Sequence, residues 1–138
     1  MNYTAYCTAL TEQVSVHQQL LDQIRATSEL GLLERSAAER SLQILAEAVI
    51  GASKHANRKL GLPERSDAAS SATQLLEQSP CPGVTKDEIR GAIGMRNAIV
   101  HDYLNLDWTL IEQVIRNRQY VKLGKFVEHY CKLLHSGQ

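Results

Sequence analysis

Neither a charge excess nor a long apolar run is present in this chain of 138 residues, and each absence closes a class of function. Lys plus Arg number 15 and Asp plus Glu also number 15, so the net charge is zero and no bulk field draws the chain to nucleic acid. Any such contact must come from a local patch or from a partner. Met1 is followed by Asn2, Tyr3 and Thr4 without a basic n-region, and no later segment is apolar enough for a bilayer. Neither a signal peptide nor a membrane span is expected, and the chain is expected to be cytoplasmic. The three cysteines, Cys7, Cys81 and Cys131, are odd in number and lack CxxC spacing, which argues against a disulfide framework or a zinc site and for small buried thiols. Strand alternation, internal repeats and low-complexity tracts are missing too.

What is present is helical periodicity. Tyr3, Tyr6, Cys7, Leu10, Val14, Leu21 and Ile24 recur in steps of three and four, which predicts a first helix closed by Gly31. Ser36-Ala37-Ala38-Glu39 reads as a capping box that starts a second long helix. Its stripe is Leu42, Leu45, Val49, Ala52, Ala56 and Leu60, and Gly61 and Pro63 stop it. Ser66 or Asp67 begins a short third helix to about Gln78, and Pro80-Cys81-Pro82-Gly83 is a turn that no helix crosses. Thr85-Lys86-Asp87-Glu88 is another capping box, and the helix it starts is expected to run to about Tyr103. Asp107 caps a last helical stretch, whose apolar phase slips across Arg116-Asn117-Arg118-Gln119 and predicts a break there. The expectation is one all-α domain over residues 1–138, an antiparallel bundle of four to five helices with a single core.

Chemistry concentrates in Arg96-Asn97-Ala98-Ile99-Val100-His101-Asp102-Tyr103. A permanent cation, an imidazole and a phenol stand here at the end of an otherwise apolar helix. On a helix turning about 100° per residue, Arg96, Val100 and Tyr103 share a stripe, while His101 lies about 140° around from Arg96, over Asn97. One regular helix therefore cannot aim Arg96 and His101 at the same point. Either the helix unwinds near His101 or a second surface completes the site.

The pattern R-x4-H-x-Y, with Met95-Arg96-Asn97 before Ile99-Val100 and with His101-Asp102-Tyr103 before Leu106-Asp107, resembles the signature of the HEPN superfamily. More narrowly, it is similar to the HepT-like toxins that are paired with a minimal nucleotidyltransferase antitoxin. The resemblance implies a small helical domain with its motif in the second half, as here, and a metal-independent endoribonuclease whose two motif copies meet in the cleft of a homodimer. Cleavage of an RNA phosphodiester through its 2′-hydroxyl needs a base, an acid and positive charge on the phosphorane. His101 suits base or acid, and Arg96 suits the charge in a bidentate fork. Tyr103 matches the position that accepts AMP groups from the partner, with ATP and magnesium bound on the partner; no cofactor is expected on this chain. Asn97 and Asp102 are support residues: Asn97 holds His101 across one turn, and Asp102 orients a ring, caps the next element or is a solvated charge.

Each assignment has a plainer competitor. Arg96 and His101 can simply complement a helix end, and Tyr103 can anchor one through its hydroxyl. The basic clusters, Lys54, Arg58 and Lys59 on one helix and Arg116, Arg118, Lys122 and Lys125 later, either track an RNA backbone or form solvated faces. His17 falls on an apolar stripe and reads as a packed or interfacial histidine. Gly91 and Gly94 each cost about 1 kcal/mol inside a helix, so either a tight crossing within the chain or close approach at a dimer interface needs them. The alternatives to a ribonuclease are a non-catalytic helical subunit that binds a nucleotidyltransferase or presents it with substrate, and a plain oligomerisation module.

Overall fold

The computed structural model describes residues 2–136. Six α-helices follow in order: α1 Tyr3–Arg25, α2 Leu32–Lys59, α3 Ala68–Gln78, α4 Lys86–His101, α5 Trp108–Arg116 and α6 Val121–His135, with a 3-10 turn at Tyr103–Asn105 between α4 and α5. The expected four to five helices become six because the slip at 116–119 is a complete turn and not a kink. Arg118 adopts the left-handed region there, with φ of 55°. Its guanidinium is gripped by both carboxylate oxygens of Asp22, each at 2.8 Å, which holds the chain in a conformation that side chains disfavour.

Helix α2 is the axis of the bundle, packed by α1, α3, α4 and α6. Leu45, Val49, Ala52 and Ala56 on α2 are fully buried and meet Leu21 of α1, Leu75 of α3, Ile89 and Ile93 of α4 and Phe126, Tyr130 and Leu134 of α6 in one apolar cluster. The contacts fix the directions. His17 of α1 bonds Ser41 near the start of α2, and Tyr6 packs on His55 near its end, so α1 and α2 are antiparallel. Asn57 of α2 donates to Ser71 early in α3, which makes that pair antiparallel as well. Lys59, the last residue of α2, donates to the carbonyls of Leu133, Leu134 and Ser136 at the end of α6. Helices α2 and α6 thus run the same way, a departure from a purely antiparallel bundle that the α5 segment permits by carrying the chain back across.

Helix starts are where the sequence reads most directly. Asp67, Thr85 and Asp107 each accept a backbone N–H three residues on, and Glu88 returns a bond to Thr85 at 2.9 Å. The second helix is the exception. It begins at Leu32, where Glu34 accepts the N–H of Gly31 at 2.8 Å, and Ser36-Ala37-Ala38-Glu39 lies inside it. Glu39 has a different use, described below. Leu60 is also no core residue: α2 has ended and its side chain is exposed. Cys7, Cys81 and Cys131 are all buried free thiols. No helix among the described residues is long and apolar enough to cross a membrane.

Candidate functional site

Arg96 occupies an unusual position for a cation. It lies seven residues after Ile89 and three after Ile93, on the stripe by which α4 faces the core, so its side chain is only 25% exposed. Two acceptors hold the guanidinium. Nη1 donates to Asn97 Oδ1 at 2.9 Å, and Nη2 donates to Glu47 Oε2 on α2 at 3.4 Å. Gln43, one turn earlier on α2, donates to the same Glu47 oxygen at 3.2 Å and braces it. Nε is buried without a partner. The second hydrogens of Nη1 and Nη2 form the edge of the fork left for a substrate.

His101 is the last helical residue of α4 and its ring is exposed. The helix is regular through His101 and breaks at Asp102, where φ is −142° and ψ is 45°. Unwinding therefore begins one residue too late to swing His101 towards Arg96, and within one chain the two remain on different faces. It does change Tyr103. That residue leaves the Arg96–Val100 stripe and opens the 3-10 turn instead of closing α4, 55% exposed. Asn97 is bonded to Arg96 and not to His101. Asp102 organises the turn: its Oδ1 accepts from Asn105 Nδ2 at 2.8 Å, and its carbonyl accepts the Asn105 N–H at 3.1 Å.

Beneath this turn lies Glu39, 7% exposed. Its Oε2 accepts from Trp108 Nε1 at 2.9 Å, and the phenol of Tyr103 is hydrogen-bonded to the same carboxylate. That bond, and then the carboxylate's charge, push the Tyr103 pKa up from its usual value. Arg35, one turn earlier on α2, stacks on the Trp108 ring at 5.0 Å. Glu39, Gln43 and Glu47 thus form a polar ladder on α2 under the whole motif segment. Sequence reasoning missed Glu39 and Glu47; the signal was the repeat of acceptor side chains every four residues beside an apolar stripe.

The basic candidates divide. Lys54 and Arg58 are exposed on α2. Lys59 caps α6 as described. Arg116 donates to the carbonyls of Arg25, Thr27 and Ser28, tying the α1–α2 connection to the end of α5. Arg118 pairs with Asp22, and Lys122 with the carbonyl of Gly83 and with Glu88 at 3.7 Å. These four cations hold the bundle together, so charge clustering in the sequence reflected internal bonds. His17 is a packed histidine: its Nδ1 lies 2.9 Å from Ser41 Oγ, and burial, then Arg40, lower its pKa. Among the described residues, no group of three or more His, Cys, Asp or Glu side chains is placed to hold a metal ion.

Gly91 and Gly94 are not needed by any crossing within the chain. A Cβ at either would meet nothing within 4 Å. Gly91 instead borders an apolar groove of about 230 Å³ between α4, α5 and α6, walled by Leu42, Ala92, Met95, Leu110 and Val114.

A family model described as ribonuclease HepT-like matches residues 10–130. The mRNA nuclease HepT of Shewanella oneidensis is 32% identical over 79 residues, which are 56% of this chain and 58% of that protein. The aligned stretch is thus little more than half of the relative's own length. Among solved structures, a toxin–antitoxin complex crystallised with AMP-PNP has a chain that superposes with a TM-score of 0.78 at 18% identity, covering 88% of this chain and 94% of its own. A tri-AMPylated Shewanella oneidensis HEPN toxin in complex with MNT antitoxin superposes with the same score, 0.78, at 19% identity over 88% and 93% of the two chains. At these identities the likeness is one of fold.

Proposed function

This chain belongs to the ribonuclease HepT-like family, and on that footing we propose that it is the toxin of a toxin–antitoxin pair, a cytoplasmic endoribonuclease that needs no metal of its own. The observation that carries the reading is the braced cation: Arg96 sits on a core-facing stripe, held from two helices by Asn97 and Glu47, beside an exposed His101 at the helix end. A cation fixed in that way is prepaid in orientation for the two oxygens of a phosphate. His101 takes the 2′-hydroxyl proton or gives one to the leaving 5′-oxygen.

One chain does not bring both groups to one point, which is the reason to place the site in a homodimer. A two-fold axis beside α4 opposes the motif helices, sets the uncrowded Gly91 and Gly94 at the contact and brings a second His101 into the cleft, so that one histidine acts as base and the other as acid. The partner is a nucleotidyltransferase antitoxin that transfers AMP from its own ATP and magnesium to Tyr103. The added phosphodiester carries charge and bulk into the site and repels RNA. The AMP-PNP and tri-AMPylated complexes of the structural relatives favour this reading of Tyr103.

Purified protein should cut RNA in EDTA and leave a 2′,3′-cyclic phosphate or 3′-phosphate with a 5′-hydroxyl. Arg96→Ala and His101→Ala should each abolish cutting without unfolding the bundle. Cleavage that disappears in EDTA and returns with magnesium, or an active His101→Ala protein, overturns the mechanism. An inactive but folded wild-type protein that still binds a nucleotidyltransferase points to the non-catalytic subunit instead.

A further inference from the structure

A carboxylate is costly to bury unless donors meet it, and among the described residues no cation forms an ion pair with Glu39. Its donors are the Trp108 indole at 2.9 Å and the Tyr103 phenol, one on each side of the linker that follows α4. The indole alone would pin that linker to α2. The phenol bond does more, because it puts a proton acceptor in direct contact with the one oxygen in the motif that the proposed regulation uses as a nucleophile.

Resting on the reading of Tyr103 as the acceptor of AMP, we propose that Glu39 is the base for that transfer, taking the phenol proton as the Tyr103 oxygen bonds to phosphorus. The step balances within these groups. The Tyr103 Oη attacks the α-phosphorus of ATP, and the bond from that phosphorus to the bridging oxygen breaks. The electron pair leaves with pyrophosphate, and the phenol proton passes to the Glu39 carboxylate. A base is needed because the same contact holds the phenol above its usual pKa, so free phenolate is scarce at neutral pH. Trp108 orients the acceptor, keeping one carboxylate oxygen occupied, and Arg35 is fixed over the indole from the same helix.

The product is self-limiting in geometry. Once esterified, Oη has no hydrogen to donate, and its bond to Glu39 is gone. A phosphodiester anion beside a carboxylate that has returned its proton to solvent is repelled. The ring is thereby driven off the carboxylate and out of the turn, and the transfer does not readily run backwards through the same base.

The test follows the first addition of label from radiolabelled ATP to wild-type protein and to Glu39→Gln, each with the nucleotidyltransferase partner, from pH 6 to pH 9, with melts and RNA cleavage run alongside. Glu39→Gln keeps the size and one acceptor of the side chain but not its basicity. It is expected to cut RNA like wild type, to be labelled on Tyr103 about a hundredfold more slowly, and to speed up in proportion to hydroxide as phenolate becomes the nucleophile. The wild-type rate should not climb in that proportion. Labelling of folded Glu39→Gln at the wild-type rate overturns the role of Glu39, and so does a wild-type rate proportional to hydroxide, which decides the matter even if Glu39→Gln fails to fold. No label on wild-type Tyr103 overturns the transfer reading itself, and this inference with it.

Discussion

Glu47→Ala separates what the structure does for the fold from what it does for the proposed reaction. The Arg96–Glu47 pair joins side chains that are 25% and 40% exposed, with a single contact at 3.4 Å. Solvent screens it, so its loss is a surface-type change worth about 0.5–1 kcal/mol, a few degrees in melting temperature. The effect on cleavage should be far larger. Without Glu47 the guanidinium keeps only Asn97, on its own helix, and the fork is free to rotate away from the direction set by α2. A misplacement of about 1 Å costs on the order of a hundredfold in rate, so kcat should fall by that factor with KM changed less. Glu47→Gln retains the acceptor and should keep most of the activity. Cleavage of a fluorogenic RNA under saturating and subsaturating conditions, with melts on the same preparations, measures all of this. Full activity in Glu47→Ala beside a dead Arg96→Ala would show that α2 plays no part in aiming the cation.

Gly94→Lys should leave the monomer as stable or about 0.5–1 kcal/mol more so, because a Cβ there meets nothing within 4 Å. It should also convert a dimer to a monomer by sizing and abolish RNA cleavage, and an active dimer with Lys at this position would remove α4 from the interface. Asp22 gives a pH signature: its bond to Arg118 in the first place, and that from Tyr120, hold its pKa at about 2. Its contribution to stability is full above the ordinary carboxylate pKa of about 4 and is lost as pH falls through the folded value of about 2, so Asp22→Asn should flatten the acid limb of the melting curve. If the variant and wild type lose stability in parallel below pH 4, the Asp22 bonds do not carry that dependence. Finally, Arg96→Met should melt at or above the wild-type temperature while losing all cleavage, and a marked drop in stability would mean that the cation is part of the core's own support.

How far the sequence reached follows from the range of each interaction. Asp67, Thr85 and Asp107 announce helices because a cap acts over three residues, and Arg116-Asn117-Arg118-Gln119 announces a break because an apolar phase cannot slip within one helix. The same local letters misled at Ser36-Ala37-Ala38-Glu39. A capping box is only a frame of residue types, and here the chain was already helical from Leu32, leaving Glu39 to face Trp108 across the bundle. Arg116 and Arg118 were read as a basic patch since sequence carries charge but not the partners of that charge, which lie on the first helix and the connection after it. The glycines of α4 were correctly seen to need explaining, but only packing shows that no neighbour within the chain crowds them. Glu39 and Glu47 had no readable role at all, because each acts on a residue that only the tertiary fold brings opposite.

The placement of Arg96 ties these strands of reasoning to a single physical conflict. Its position, seven residues beyond Ile89 and three beyond Ile93, is one that an ordinary bundle fills with leucine or isoleucine. Burying most of a guanidinium there, with Nε left unpartnered, works against stability, and a partly screened contact with Glu47 offsets only part of that cost. A cation serving merely as a helix-end complement would sit in the last turn with its head in water, as His101 does. Local rules broken without a structural gain are the expected mark of a functional position. The argument for chemistry at Arg96 thus comes from its misfit to the bundle as well as from the letters around it, and it applies to Glu39 for the same reason: a buried carboxylate without an ion-pair partner is a poor way to fasten a turn and a good way to keep a base in contact with a phenol.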